Sequence, residues 1–73
     1  MKAVIAIDSD FDHEVVDVFL LLHSNGFTDI TWLKGFDDIE WEAAELYANQ
    51  VAKTLSIEYV GEDLNYFGEK LND

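Results

Sequence analysis

From Ala3 to Ile7 every residue is apolar, and the β-branched side chains among them suit a strand covered on both faces, as in the middle of a parallel sheet. Beyond it, Val15, Val16, Phe19, Leu20 and Leu22 recur at helical spacing, with Asp10 or Asp12 placed to cap the N-terminus and Asn25-Gly26 to stop the chain; this predicts a helix ending near Ser24. Thr28-Asp29 leads into a second short strand, Ile30 to Leu33, closed by Lys34-Gly35. Asp37 then caps a longer helix, with Glu40 where a capping box wants an acid. Trp41, Ala44, Ala48, Val51 and Leu55 form its apolar stripe, and Glu42, Glu45, Asn49 and Lys53 face water. Ile57 to Val60 reads as a third strand ended by Gly61, and Leu64, Phe67 and Leu71 mark a brief terminal helix interrupted by Gly68.

The resulting alternation is βαβαβα, an α/β fold. Strands separated by helices imply crossover connections, hence a small three-stranded parallel sheet with flanking helices, ordered second-first-third so that the most apolar strand is central. No repeat, linker, proline or low-complexity tract divides the chain, so residues 1–73 are read as a single domain.

Composition sharpens this picture. Nearly half of the 73 residues are apolar and ten are aromatic, which a disordered acidic chain would lack. A core of this size is near the lower limit for folding unaided. Without cysteine there is no disulfide framework, thiolate metal site or cysteine nucleophile. The longest apolar runs, Ala3 to Ile7 and Val18 to Leu22, are too short to span a bilayer, so a soluble, cytoplasmic protein is expected.

Charge is the feature that points to function: sixteen acidic side chains against four lysines give a net charge of −12. Such a chain repels membranes and nucleic acids, so no membrane and no direct nucleic-acid contact is expected, and a basic partner is. In a parallel sheet, all the loops that leave strands for helices lie at one edge, and here those loops hold Asp8, Asp10 and Asp12, then Asp37 and Asp38, then Glu62 and Asp63. Helix capping accounts for Asp10 or Asp12, Asp37 and Glu62, because an anion is stabilised at a helix N-terminus. It does not require all seven.

A divalent-metal site for phosphoryl chemistry is an alternative, since Asp8-Ser9-Asp10 offers two carboxylates at a strand end. Cations to hold a phosphate are few, with Lys34 the one near this edge and Lys2, Lys53 and Lys70 elsewhere. A calcium loop would need glycine and glutamate where His13 and Phe19 stand. Val4-Ile5-Ala6-Ile7-Asp8-Ser9-Asp10 resembles the N-terminal motif of nucleoside hydrolases, in which an aspartate-rich strand end binds calcium. That family continues with a paired aspartate where this chain has Glu14-Val15, and it needs a much larger domain. His13 and His23, ten residues apart, do not share a metal-binding turn, and Ser9, Ser24 and Ser56 lack a histidine-acid partnership in sequence. No catalytic residue, cofactor or bound metal is therefore expected, and the protein is read as a non-enzyme.

In size, charge and lack of catalytic equipment the whole chain resembles small acidic phage-encoded DNA-mimic proteins, which inhibit nucleic-acid-binding proteins or defence nucleases. The resemblance implies an inhibitor of a basic nucleic-acid-binding protein, acting in the host-cell cytoplasm if phage-encoded. On that reading Asp8, Asp10, Asp12, Asp37, Asp38, Glu42, Glu45, Glu62 and Asp63 pair with basic groups of the partner, and exposed Phe11, Phe36 or Trp41 add specificity, although core packing is the better expectation for Trp41. A further alternative is a homo-oligomeric assembly or adaptor module, in particular a homodimer. Val15, Val16, Val18, Phe19, Leu20, Leu21 and Leu22 exceed a single helical stripe, so such a helix is either buried between layers or pairs with another copy.

Overall fold

The computed structural model describes residues 1–68. Its elements are β1 (Lys2–Asp10), β2 (Val15–Ser24), β3 (Phe27–Asp37), a 3-10 turn over Asp38–Glu40, α1 (Trp41–Leu55) and the two-residue β4 (Glu58–Tyr59). They build one four-stranded mixed sheet in the order β3-β2-β1-β4. β1 pairs antiparallel with β2 and β2 with β3, while β4 lies parallel to β1 through Val4↔Glu58 and Ile5↔Tyr59. The expected three-stranded parallel βαβαβα sheet is thus overturned.

The decisive difference is the segment Val15–Ser24, a strand rather than a helix. Asn25 and Gly26 both have positive φ, 54° and 83°, and Ser24 pairs with Phe27 across them. Two consecutive left-handed residues make the two-residue turn whose twist matches paired strands, so Asn25-Gly26 closes a hairpin and does not cap a helix. Three valines in the first four positions of β2 resist helical χ1 restriction and suit a pleated surface. β3 is also longer than the expected Ile30 to Leu33, and a bulge between Val18 and Phe19 leaves Leu33 as the extra residue.

Helix α1 lies on one face of this sheet. Ile5, Ile7, Val16 and Val18 meet Ala44, Ala48 and Ala52, and Leu20, Leu33, Phe36, Trp41, Tyr47 and Val51 pack around them. Alanines four residues apart leave a flat strip, which lets the helix backbone approach the sheet. The entry to α1 follows the expected capping logic, displaced by one turn: the Glu40 carboxylate accepts the Asp37 N–H at 3.2 Å, and the chain then passes through the 3-10 turn. At its end Ser56 takes the left-handed conformation (φ 59°), and Ser56 and Ile57 N–H donate to the carbonyls of Lys53 and Ala52, satisfying the last turn.

Among the described residues the opposite face is only partly covered. Val60, Leu64 and Phe67 lie over Val4, Ala6, Leu21 and Phe19, so residues 60–67 form a second cover in place of the expected terminal helix. Leu71, the last residue of that expected helix, lies outside the described residues. The open face continues past this cover onto β3, where Ile30 is 51% and Trp32 58% exposed.

Candidate functional site

Strand direction decides where the acids gather. β1 and β3 are each antiparallel to β2, and β4 is parallel to β1, so β1, β3 and β4 run the same way and end together. β1 ends at Asp10, β3 at Asp37 before Asp38, and β4 leads through Gly61 to Glu62 and Asp63. Asp12 lies in the turn from β1 to β2 at that same end. Seven of the nine acids singled out from sequence therefore share one end of the sheet, even though the intervening segment is a strand and not a helix.

Hydrogen bonds tie this rim into a unit. Asp10 Oδ1 accepts the backbone N–H of Asp12 at 3.1 Å and of His13 at 3.3 Å, fixing the turn, while Asp10 Oδ2 lies 2.7 Å from His13 Nδ1. Glu14 completes the turn in the left-handed region at φ 58°, and its carbonyl accepts the Asp38 N–H at 3.0 Å, which ties the exit of β3 to the β1–β2 turn. On the other side the Ser9 hydroxyl donates to Glu62 Oε2 at 2.8 Å, holding the segment after β4 against the end of β1.

The pairing register also brings in two acids that the sequence reading did not place there. Asp17 stands directly opposite Asp8, and Glu14 lies in the rim turn. Because paired residues of antiparallel strands share a face, Asp8, Asp10, Asp17 and Asp37 all belong to the open face of the sheet. Asp17 becomes visible from sequence only once Val15–Ser24 is assigned as a strand.

The local field follows from this crowding. Asp8 has its pKa raised, first by loss of solvent and then by the negative charges of Glu62, Asp10 and Asp17. Asp10 is held below the usual carboxylate range, chiefly by its hydrogen bond to His13. Among the described residues no lysine comes within 4.0 Å of a carboxylate, and the contact of His13 with Asp10 is the lone ionic pair. Lys34 instead sits over the Phe36 ring, 5.5 Å from its centroid.

The two helix acids divide. Glu42 is exposed in the first turn of α1, which begins at the rim end directly after the turn that follows β3, and extends the acidic surface. Glu45 does not face open water: it is half-buried, and its Oε2 accepts the Tyr59 hydroxyl at 3.1 Å, bracing the helix against β4. Burial and the Glu45 carboxylate push the Tyr59 phenol well above its ordinary value. Of the aromatics near the rim, Phe11 at the turn tip is 77% exposed, whereas Phe36 and Trp41 pack against the helix-side core.

The arrangement offers a charged surface and little chemistry. Among the described residues no group of three or more His, Asp or Glu side chains is disposed to hold a metal ion. Ser9, the hydroxyl nearest the acids, is bound to a carboxylate and to no histidine. Among the described residues no helix is long and apolar enough to cross a membrane. No protein-family model matches the chain, and the comparisons with curated proteins and with solved structures return no match.

Proposed function

We propose that this protein is a non-enzymatic acidic inhibitor that occupies the nucleic-acid-binding surface of a basic protein, its carboxylates standing in for phosphates. The observation that carries the reading is the rim itself. Asp8, Asp10, Asp12, Asp37, Asp38, Glu62 and Asp63 converge on one end of the sheet with no lysine counter-ion among the described residues. Surplus like charges destabilise a small fold by self-repulsion, so their retention favours a role in recognition. A field of this sign also accelerates encounter with a cationic cleft.

Strand geometry supplies regular spacing. Asp8 and Asp10 alternate onto one face of β1 about 6.7 Å apart along the strand, about twice the axial step of roughly 3.4 Å between charges on one strand of DNA. Asp37 lies two strands across from Asp10, about 9.6 Å away. Phe11, exposed beside these acids, is the apolar contact that would add discrimination to charge. The reading places the protein in the cytoplasm with its target, in the host-cell cytoplasm if phage-encoded.

The test is capture from a bacterial lysate on immobilised protein, at low and moderate salt, against a scrambled peptide of equal charge. The expected result is selective retention of a nucleic-acid-binding protein that duplex DNA displaces and added salt weakens steeply. Serial neutralisation of Asp10, Asp12, Asp37 and Asp38 to asparagine should then erode binding in steps, with no single residue essential. Retention of nothing beyond the control would sink the proposal.

A further inference from the structure

We propose that the outer edge of β3 pairs antiparallel with the same edge of a second copy, centred on Thr31, to give an eight-stranded sheet. The two edges of the monomer sheet are unlike. β4 presents two residues, whereas β3 presents eleven with no proline, and the stretch before its bulge, Phe27 to Trp32, is a regular edge of the kind that recruits another strand. The inference stands independently of the charge-mimicry reading.

Hydrogen-bond phase selects the register. A two-residue loop makes Ser24 and Phe27 the first bonded pair of the hairpin, and the alternation of an antiparallel ladder then turns the N–H and C=O of Phe27, Asp29 and Thr31 toward β2. Those of Thr28, Ile30 and Trp32 point outward. Pairing about Thr31 sets Ile30 against Trp32 of the second copy, twice, with both residues in the outward-bonding phase and both on the open face. Their exposed apolar surfaces then join into one stripe with Phe19, which pairs with Trp32 within the monomer. The bulge at Leu33 ends the regular stretch just beyond this contact.

Charge identifies the occupant as a second copy. Asp29 and Lys34 are the charged residues between Phe27 and Gly35, so this stretch is neutral in a chain of net charge −12. Both lie on the helix-side face, because Asp29 pairs with Leu22 and Lys34 with Val18. In the proposed register Asp29 opposes Leu33 of the second copy, with that copy's Lys34 adjacent. Antiparallel pairing also sends the two acidic rims to opposite ends of the joined sheet. Each then lies on the same side as the partner's far end, which holds Lys2 and Lys53, whereas a parallel pairing would set rim against rim.

Sedimentation equilibrium from micromolar to millimolar protein at physiological salt tests this, beside amide exchange. The expected result is a dimer, with the Ile30 N–H protected as dimer forms. Ile30→Pro removes only an outward donor at an edge position and should raise the dimer dissociation constant about tenfold or more. Asp29→Lys and Lys34→Asp should each weaken the dimer, and the double exchange should restore it, a rescue that a mere folding defect would not give. A monomer at every concentration, or a dimer with an unprotected Ile30 amide, or one indifferent to Ile30→Pro, would overturn the assignment, the latter two by placing the contact elsewhere.

Discussion

The indole Nε1 of Trp32 donates to Asp17 Oδ1 at 2.9 Å, and the indole ring lies over the bare backbone of Gly35. A side chain at 35 would place its Cβ 2.9 Å from that same carboxylate oxygen and 3.5 Å from the ring. The aromatic thus covers a glycine on an edge strand while fixing an acid of the open face. Trp32→Phe keeps most of the cover and loses the bond, and should cost about 1 kcal/mol in denaturant unfolding. Gly35→Ala should break the same bond, seen as a shifted indole N–H resonance, with a smaller net loss because alanine suits a strand better than glycine.

The hairpin turn makes a second prediction. Gly26 sits at φ 83° with nothing within 4 Å of where a Cβ would stand, so Gly26→Ala meets no clash and its cost is backbone strain alone. A loss of about 1 kcal/mol is expected from thermal or denaturant unfolding. Were residues 15–24 helical in solution, circular dichroism would show roughly two helices' worth of signal instead of one.

The alanine strip of α1 gives a third. Ala44 and Ala48 are fully buried between helix and sheet, opposite Ile5, Ile7, Val16 and Val18. Ala48→Leu must lift the helix or force neighbours off their rotamers, and should destabilise by about 1–3 kcal/mol. An unchanged or raised midpoint would show that the helix does not lie as close to the sheet as described.

Asp8 gives a pH dependence of defined sign. Its raised pKa means that the native state holds this proton more tightly than the unfolded chain does. The fold is therefore favoured below the ordinary aspartate value of 3.8 and loses that advantage as pH climbs through the raised value. Asp8→Asn should raise the melting temperature at neutral pH and low salt, and the gain should vanish in acid. Asp10 has the opposite sign: its depressed pKa stabilises the native state above the usual carboxylate range, and that contribution fades only as pH falls through the lowered value. Asp10→Asn should lower the melting temperature at neutral pH.

How far the fold could be read from sequence depended on how each face is covered. β1 was legible because a strand buried on both sides is a plain apolar run, and α1 because its alanine and aromatic stripe has one period. β2 is buried by the helix on one side and in part by residues 60–67 on the other, so alternation vanishes and its valines and leucines mimic a helix apolar all round. Asn25-Gly26 carried the correcting signal, since this pair between two apolar runs marks a hairpin more strongly than a helix end. The rim remained legible because replacing a helix with a reversed strand leaves the directions of β1, β3 and β4 unchanged. Asp17 and the bracing role of Glu45 were not legible, as both follow from pairings across the fold.

The parallel contact of β1 with β4 joins Val4 to Glu58, while a four-residue and a two-residue turn join the three long strands. Loop-closure entropy is smaller for those two turns than for the helix crossing that delivers β4, so the meander closes at less entropic cost than the contact of β1 with β4. The tie between Ser9 and Glu62 depends on that crossing, which brings together two residues 53 positions apart in the chain. The charged end thereby joins contacts of two ranges: short turns alone bring the acids of β1 and β3 to one end, and only the long crossing adds Glu62 and Asp63.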